Sequence, residues 1–402
     1  MKKLVIASLP LYLVFLLACH KDHNNPPTSP TDSTTNLKID LSVGANYELI
    51  ISEPAGTVLL DTIVAPFTHI STILKTSASL FDVSTIDTAS GKFYITTYKA
   101  VNPSSWTNVG IFYHLAPYPT LASKNPSESI DTTLYLNAPN DPYYRQYYVS
   151  GATYVSFYST YNQIQSTYWD LPGRYSYLCF VDKGLYNLHM SKTSNDTVDC
   201  THMDTAVYGN YTTSSYFTYS ESFIFGYPDS TDLGTGLELY INFYNTPQYL
   251  YPPKGIQKYM AQAIFSGPKH DTARSYTFGN TISPDVTYPD ENAGPVNTSN
   301  NNLSLDFDNT KPSYYFTTWI APTISWTLYA SPDSTSLNPL NLLTKQKSKL
   351  LRGQDLSSLS LTQFYYETVQ GYNYQNFLSM ACDSLQAPKA GITNAVFYER
   401  SY

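Results

Sequence analysis

Short alternating runs of apolar and polar residues dominate the chain from residue 37 onwards. Valine, isoleucine, threonine and tyrosine fill these runs, and glycine, proline and asparagine separate them. Such runs, bounded by turn residues, are typical of β-strands. The first six predicted strands span residues 37–43, 47–53, 57–64, 68–75, 80–86 and 92–99. Their regular spacing predicts an N-terminal β-sandwich over residues 37–115.

Two further regions continue the strand pattern. Residues 116–285 are dense in tyrosine and predict a second β domain. Residues 286–402 predict a C-terminal β-rich region, and a cluster of proline, glycine and asparagine over 283–302 predicts the long loop that leads into it.

One helix is predicted in the C-terminal region. Asn338 provides an N-cap, Pro339 suits the first helical position, and Gly353 predicts the end of a helix that continues to Arg352. The predicted fold class is therefore mainly β, with tandem immunoglobulin-like or β-sandwich domains and little helix.

Composition supports this fold class and narrows the range of partners. Only 13% of residues are charged, whereas 15% are aromatic, and 39 residues are tyrosines. Aromatic and β-branched side chains pack well on pleated sheets. The formal net charge is −8, and the body has no basic patch, so nucleic acid is not an expected partner. The cysteines lack zinc-site spacing, and no metal or other cofactor is expected.

The N-terminus has the organisation of a signal peptide. Lys2 and Lys3 precede an apolar run over residues 4–17, and the small residue Ala18 follows it. This run reaches only about 21 Å as a helix, which is short of a hydrocarbon core of about 30 Å. A cleaved signal peptide over residues 1–18 is therefore favoured over a permanent membrane span.

The sequence Leu16-Leu17-Ala18-Cys19 resembles the lipobox of bacterial lipoproteins. The resemblance covers these four positions and implies that Cys19 is lipidated and becomes the first mature residue. Residues 19–36, rich in proline, serine and threonine, predict a flexible tether to the membrane. His20 stands where an aspartate would resemble an inner-membrane retention signal, so we expect anchoring in the outer membrane. The periplasmic and the cell-surface face both remain open.

Cys179 and Cys200 are candidates for a disulfide between neighbouring strands, which an exported location permits. Cys200 also lies in the run Asp199-Cys200-Thr201-His202-Met203-Asp204. On a strand, Cys200, His202 and Asp204 would share one face, which suits a soft metal or an activated thiolate. A loop with one disulfide cysteine is the favoured alternative.

Asp306-Phe307-Asp308-Asn309-Thr310 resembles the D-x-D-x-T motif of haloacid-dehalogenase-type phosphatases. The resemblance implies that Asp306 is a nucleophile and Asp308 a general acid. That family needs a parallel α/β sheet, whereas the surrounding pattern is antiparallel β. A simple turn is therefore the favoured interpretation of this motif.

Aromatic residues suggest a binding surface. Tyr168 and Trp169 precede a predicted turn, where flat rings can pack on sugars and hydroxyl groups can donate hydrogen bonds. Trp319 and Trp326 lie on strands with apolar neighbours and are expected in the core.

A tripeptide of Asp, Ser or Thr, and a small or apolar residue recurs along the chain. It resembles an O-glycosylation acceptor motif of exported proteins in some Gram-negative bacteria. Asp-Thr pairs that simply end strands are an equal alternative. The acceptors that the resemblance implies include Thr62, Thr88, Thr132, Thr197, Thr205 and Thr272.

These features lead to three hypotheses for function. The first is a lipid-anchored, non-catalytic envelope protein that binds a ligand, with a glycan as the leading choice. The second is a structural or adhesive envelope component that contacts other envelope proteins. The third is an exported hydrolase, which would use the Asp306 and Asp308 pair or the Cys200, His202 and Asp204 group.

We expect Cys19→Ser to release the protein from the membrane fraction, because no thiol remains there to carry the acyl chains that hold it. Metabolic labelling with an alkyne fatty acid, followed by fractionation, measures lipidation and attachment together. The matched variant Cys382→Ser should keep both the label and the membrane attachment. A full lipid label on Cys19→Ser would contradict the assignment of the anchor.

Overall fold

The protein is mainly β in a computed structural model, as the sequence predicts. Strands are the main element of the described residues, and helices are few. An immunoglobulin-like arrangement of these strands stays a prediction. The lipobox, and the tether up to residue 34, lie outside the described residues. The structure describes residues 35–43, 47–65, 68–76, 78–102, 132–137, 145–150, 153–158, 163–166, 175–180, 183–190, 197–199, 201–230, 237–242, 246–308, 310–382 and 393–402.

All six strands predicted in the N-terminal segment are present, with bounds that differ by at most three residues from those predicted. Their alternating apolar positions are the reason that the pattern located them. They are β1 (Thr35–Val43), β2 (Tyr47–Ser52), β3 (Val58–Val64), β4 (Thr68–Thr76), β5 (Phe81–Ala89) and β6 (Lys92–Val101).

The tyrosine-rich segment contributes many short strands and three longer ones, β16, β19 and β20. The strands are β7 (Thr132–Asn137), β8 (Arg145–Ser150), β9 (Thr153–Tyr158), β10 (Gln163–Ser166), β11 (Tyr175–Phe180), β12 (Leu185–Met190), β13 (Thr197–Asp199), β14 (Asp204–Thr205), β15 (Val207–Asn210), β16 (Thr218–Tyr227), β17 (Leu237–Asn242), β18 (Gln248–Tyr251), β19 (Lys258–Ser266) and β20 (Thr272–Gly279).

The C-terminal segment holds the remaining strands and both α-helices. One strand, β21, lies within the stretch 283–302 that was predicted as a loop, so that prediction is wrong there. The elements are β21 (Gly294–Ser299), β22 (Asn302–Asp306), β23 (Tyr314–Ala321), β24 (Ile324–Ala330), β25 (Ser336–Leu337), α1 (Pro339–Gln346), β26 (Ser360–Val369), α2 (Tyr374–Cys382) and β27 (Asn394–Ser401).

Helix α1 starts as predicted but ends earlier. The Asn338 side chain accepts a hydrogen bond of 2.8 Å from the Asn341 amide, which confirms the N-cap. The predicted end at Gly353 is wrong, because Lys347 adopts a left-handed conformation (φ 50°) and ends the helix after Gln346. Helix α2 was not predicted from the sequence.

One large sheet organises the chain. It has 12 strands in the order β17-β16-β19-β20-β27-β26-β23-β24-β6-β5-β2-β3. These strands come from all three segments of the predicted domain division, so the backbone hydrogen bonds of this sheet run across both predicted boundaries.

The only parallel pair of this sheet joins β6 to β24, and we call it the seam. Across the seam, Ile95 lies opposite Trp326, which in turn lies opposite Trp319 on β23. Both tryptophans are fully buried, and their predicted place in the core is confirmed. The indole N–H of Trp326 donates to the Thr97 hydroxyl at 3.0 Å, so the polar end of the ring is also satisfied within the core.

Smaller elements cover both faces of the large sheet. The sheet of β21, β22 and β25 buries Leu303 and Leu305 in the same core cluster as Trp319 and Trp326. On the other face, Leu378 of α2 packs in a second cluster of buried apolar residues. Since both clusters lie against one sheet, that sheet fixes the positions of residues distant in sequence.

A buried carboxylate ties the chain after α1 to the sheet. Glu48 on β2 has no exposed surface. It accepts hydrogen bonds from the Ser348 hydroxyl, from the Lys349 amide at 2.6 Å and from the Leu350 amide at 3.2 Å. These three donors compensate for its burial and hold the turn that ends α1.

We expect Glu48→Ala to reduce the free energy of unfolding by about 2–4 kcal/mol, because it leaves buried donors without an acceptor. Urea denaturation monitored by tryptophan fluorescence measures the loss. Glu48→Gln keeps the volume and one acceptor oxygen, so its loss should be smaller. A change below about 1 kcal/mol for the alanine variant would contradict the role of this carboxylate.

Burial of tyrosines predicts instability at high pH. Desolvation raises the pKa of Tyr47, Tyr219, Tyr276 and Tyr288 to about 12. In the unfolded chain tyrosine ionises near its ordinary pKa of about 10. The folded state therefore keeps these protons to a higher pH than the unfolded chain does. Their contribution to the free energy of unfolding is complete below about pH 10 and falls as the pH rises towards about 12.

We expect the urea midpoint of unfolding to be lower at about pH 11 than at about pH 9. The absorbance of tyrosinate, followed at the same two values, should show that part of the tyrosine set ionises only on unfolding. Equal midpoints at both values, together with complete ionisation in the folded state, would contradict the burial of these rings.

Candidate functional site

A row of threonines crosses the large sheet on one of its faces. Strand register places Thr85 on β5 opposite Thr96 on β6, and Thr96 opposite Thr327 on β24. Thr327 in turn lies opposite Thr318 on β23. Neighbouring strands are about 4.8 Å apart, so these four hydroxyl groups follow one line of about 14 Å across the seam.

A second row lies two residues further along the same strands. Tyr94 on β6 faces Ser325 on β24, and Ser325 faces Ile320 on β23. Tyr94 and Ile320 are each 44% exposed, which is high for large side chains on strands of the central sheet. We call the surface formed by both rows the threonine face. Its members are Thr85, Thr96, Thr327, Thr318, Tyr94, Ser325 and Ile320.

Strand alternation explains why this surface is polar while the sheet is stable. Successive side chains point to opposite faces, so each threonine of the row is next to a core residue. Ile86, Ile95, Trp326 and Trp319 form the matching row on the opposite face, and each is at most 2% exposed. Threonine suits such positions, because its branched Cβ favours strands and its hydroxyl group can form hydrogen bonds with water.

Hydrogen bonds fix one end of the threonine face. The Thr318 hydroxyl donates to the Gln363 Oε1 at 3.2 Å, and the Gln363 Nε2 donates to Glu399 at 2.7 Å. The lone pairs of the Thr318 hydroxyl are therefore left to accept from a ligand. Within the described ranges, no hydrogen bond engages the hydroxyls of Thr85, Thr96 or Thr327.

Charges of both signs lie at the margins of the threonine face, since the exposed Lys92 is two residues before Tyr94 on β6. Asp87 is exposed beside Tyr94 and accepts a hydrogen bond of 2.7 Å from the Thr88 amide. Glu399 lies beyond Gln363 at the other margin. A surface of neutral hydroxyl groups and one aromatic ring, with charges of both signs at its margins, suits an uncharged ligand rich in hydroxyl groups.

The sequence contained a signal for this face that pattern analysis missed. Tyr94-x-Thr96, Thr318-x-Ile320 and Ser325-x-Thr327 each place two of these side chains at alternate positions. Each pair shares a face of its own strand. What the sequence does not contain is the register that aligns the four strands.

The residues predicted for ligand binding and for membrane anchoring are not part of the threonine face as described. Tyr168, Trp169 and Cys19 lie outside the described residues. Cys179 is buried and is a free cysteine, and burial raises the pKa of its thiol to about 12. Cys200 lies outside the described residues, so a disulfide between Cys200 and Cys179 stays a prediction. The free thiol of Cys179 does not support that prediction.

The predicted glycosylation acceptors fall into different environments. Thr88 and Thr205 are exposed, whereas Thr62 and Thr272 are partly buried. Thr132 lies in β7 and Thr197 in β13. Use of any of these threonines stays a prediction.

Asp271, which precedes Thr272, is a structural residue. It is 1% exposed. The Arg400 guanidinium donates to it at 3.2 Å, and the hydroxyls of Tyr216 and Tyr398 donate at 2.7 and 2.8 Å. An enzyme that had to recognise this aspartate could not reach it in the folded protein.

The motif that resembles a phosphatase forms a surface turn. Asp306 ends β22, which pairs antiparallel with both β21 and β25. The Asp308 amide donates to the Asp306 carboxylate at 2.8 Å, and Asp308 has a positive φ of 46°. Both carboxylates are exposed. The favoured interpretation of a turn therefore agrees with the structure.

The run around His202 also forms an exposed turn, between β13 and β14. His202 contacts Asp199 at 3.2 Å, and these side chains are 88% and 54% exposed. Asp204 instead pairs with Lys254 at 3.1 Å. Strand β13 ends at Asp199, so the favoured loop interpretation agrees with the described residues of this run, and a strand face shared by Cys200, His202 and Asp204 is not supported. The described residues include no cluster of histidine, cysteine and acidic side chains fit to hold a metal ion.

Neither a family model nor a curated protein matches the chain. Among the described residues, neither helix has the length and apolar character that a membrane span requires.

Proposed function

We propose that this protein is a lipid-anchored component of the bacterial outer membrane that binds a neutral glycan on the threonine face without catalysis. The observation that carries the binding proposal is the alignment of Thr85, Thr96, Thr327 and Thr318 across four strands. Sequence features support the location: the signal peptide, the resemblance to a lipobox at Cys19 and the tether that follows it.

The chemistry of the threonine face fits a sugar. Hydroxyl groups both donate and accept, and so do sugar hydroxyls, so a regular row can bond to successive rings of a chain. Tyr94 adds an aromatic surface on which the apolar face of a ring can pack. Because β-sheets are rigid, the hydroxyl positions are fixed before the ligand arrives, which lowers the entropy lost on binding.

The exported-hydrolase hypothesis has less support than binding. Asp306 and Asp308 lie in a surface turn, and Asp199 and His202 lie in another exposed turn. One observation favours the structural or adhesive alternative. The apolar side chains of Ile63 on β3 and Ile73 on β4 are 59% and 62% exposed. Where such side chains form a contiguous patch, they are typical of protein contacts.

A threonine-face variant tests the proposal directly. Thr96→Val and Thr327→Val together keep the branched Cβ and remove two hydroxyls at the centre of the row. Loss of two hydrogen bonds, each contributing about 1 kcal/mol, should weaken glycan binding roughly thirtyfold. Affinity electrophoresis and calorimetry over a panel of neutral polysaccharides measure the change.

Two matched controls separate binding from folding. Thr277→Val makes the same substitution on β20, away from the threonine face, and should bind as the wild type does. Tyr94→Ala should lose affinity, whereas Tyr208→Ala, which removes an exposed tyrosine from β15, should not. If the wild type bound no member of the panel, or if the central pair of variants bound normally, the glycan proposal would fail.

A further inference from the structure

A second concave surface lies at the other end of the seam. It is a groove of about 490 Å³ between the turn after β2, Lys99 on β6, residues 333–338 and the first turns of α1. This volume is within the range of about 300–1,000 Å³ that small-molecule sites occupy. The threonine face lies near the opposite ends of β6 and β24, so the two surfaces share strands and no lining residue.

The walls of the groove are held together by contacts. The Lys345 ammonium donates to the Ala55 carbonyl at 3.2 Å, which joins helix α1 to the turn. Gly56 in the same turn has φ 97°, and a Cβ at this position would lie 2.6 Å from the Lys345 Cδ. A glycine is therefore required for the turn to approach the lysine this closely.

Side chains rather than helix amides give the groove its chemistry. The Leu340 amide donates to the Asn300 carbonyl at 2.8 Å, and the Asn341 amide is capped by Asn338. The groove is lined instead by hydroxyl residues such as Ser334 and Ser336 and by the amide residues of its helical wall, together with apolar side chains of the turn and of α1. Such a mixed lining suits a sugar ring, whose hydroxyl groups need polar partners and whose faces are apolar.

The charged side chains that line the groove are paired with opposite charges, except for one lysine among the described residues. Lys99 is paired with the fully buried Asp82 at 2.8 Å. Asp333 is paired with Lys311 at 2.7 Å, and the hydrogen bond from that lysine lowers the pKa of Asp333. Among the described residues, no ion pair joins Lys345 to a carboxylate, and its bond to a neutral carbonyl leaves its charge uncompensated.

We infer that this groove binds one carboxylated sugar unit, a hexuronic acid. The ligand carboxylate lies against the Lys345 ammonium, and its ring hydroxyls bond to Ser334, Ser336 and Asn341. This site is independent of the threonine face and of its proposed neutral glycan, because it differs in lining residues, in charge and in ligand class.

Saturation-transfer NMR and calorimetry on the full-length protein in detergent test the inference with glucuronate, galacturonate, glucose and inorganic phosphate as probes. We expect one or both uronates to bind, and glucose and phosphate to bind at least tenfold more weakly. Uronate affinity should also fall as salt is added, since the pairing with Lys345 is partly exposed to solvent.

Variants locate the binding in the groove. Lys345→Gln should reduce uronate affinity at least fivefold, while Lys347→Gln, which removes the same charge just outside the groove, should not. Asn341→Trp fills the groove without removing a charge and should abolish binding. Equal binding of phosphate and uronate, no uronate binding, or full binding by either groove variant would overturn the inference. The Thr96→Val and Thr327→Val pair should leave uronate binding unchanged.

Discussion

The parallel pairing of β6 with β24 is the constraint on which most of this structure depends. It joins the four N-terminal strands of the large sheet to the strands of the C-terminal segment. A chain of buried hydrogen bonds reinforces it, from the Trp326 indole to Thr97, between Thr97 and Ser84 at 2.8 Å, and from the Gln346 amide to Ser84 at 2.7 Å. Both the threonine face and the groove contain residues from each side of this seam. Each surface therefore forms only when the two segments pair.

Buried polar groups give the large sheet its specificity. Glu48, Asp82 and Asp271 are each at most 1% exposed, and each has several donors arranged around it. A buried carboxylate without such partners would be strongly destabilising. The donors to Glu48 and Asp271 come from segments far away along the chain, so another arrangement of the strands would leave those two charges unsatisfied. Apolar packing of the many tyrosines favours a compact sheet, and the carboxylates select which sheet forms.

Local elements could be predicted from the sequence, and their partners could not. Period-2 alternation located β1 to β6, and the sequence before Pro339 located the start of α1, since both signals lie within a few residues. The end of α1 depends on Glu48, whose bond to the Lys349 amide spans 301 positions, so no local pattern shows it. The threonine face has the same character. Three of its four strands carry a pair of face residues at alternate positions, but the row exists only once Thr96 and Thr327 are in register.

The seam also has a consequence for the order of folding. Thr97 and Trp326 are 229 positions apart. Closing so long a loop carries a large entropic cost, and contacts of this kind slow folding. Synthesis delivers β2, β3, β5 and β6 first, and the β6 edge then has no partner until residues 324–330 arrive. An open strand edge is a template for pairing with other chains. The first strands to be made are thus among the last to be completed, and the nascent chain is most exposed to aggregation during that interval.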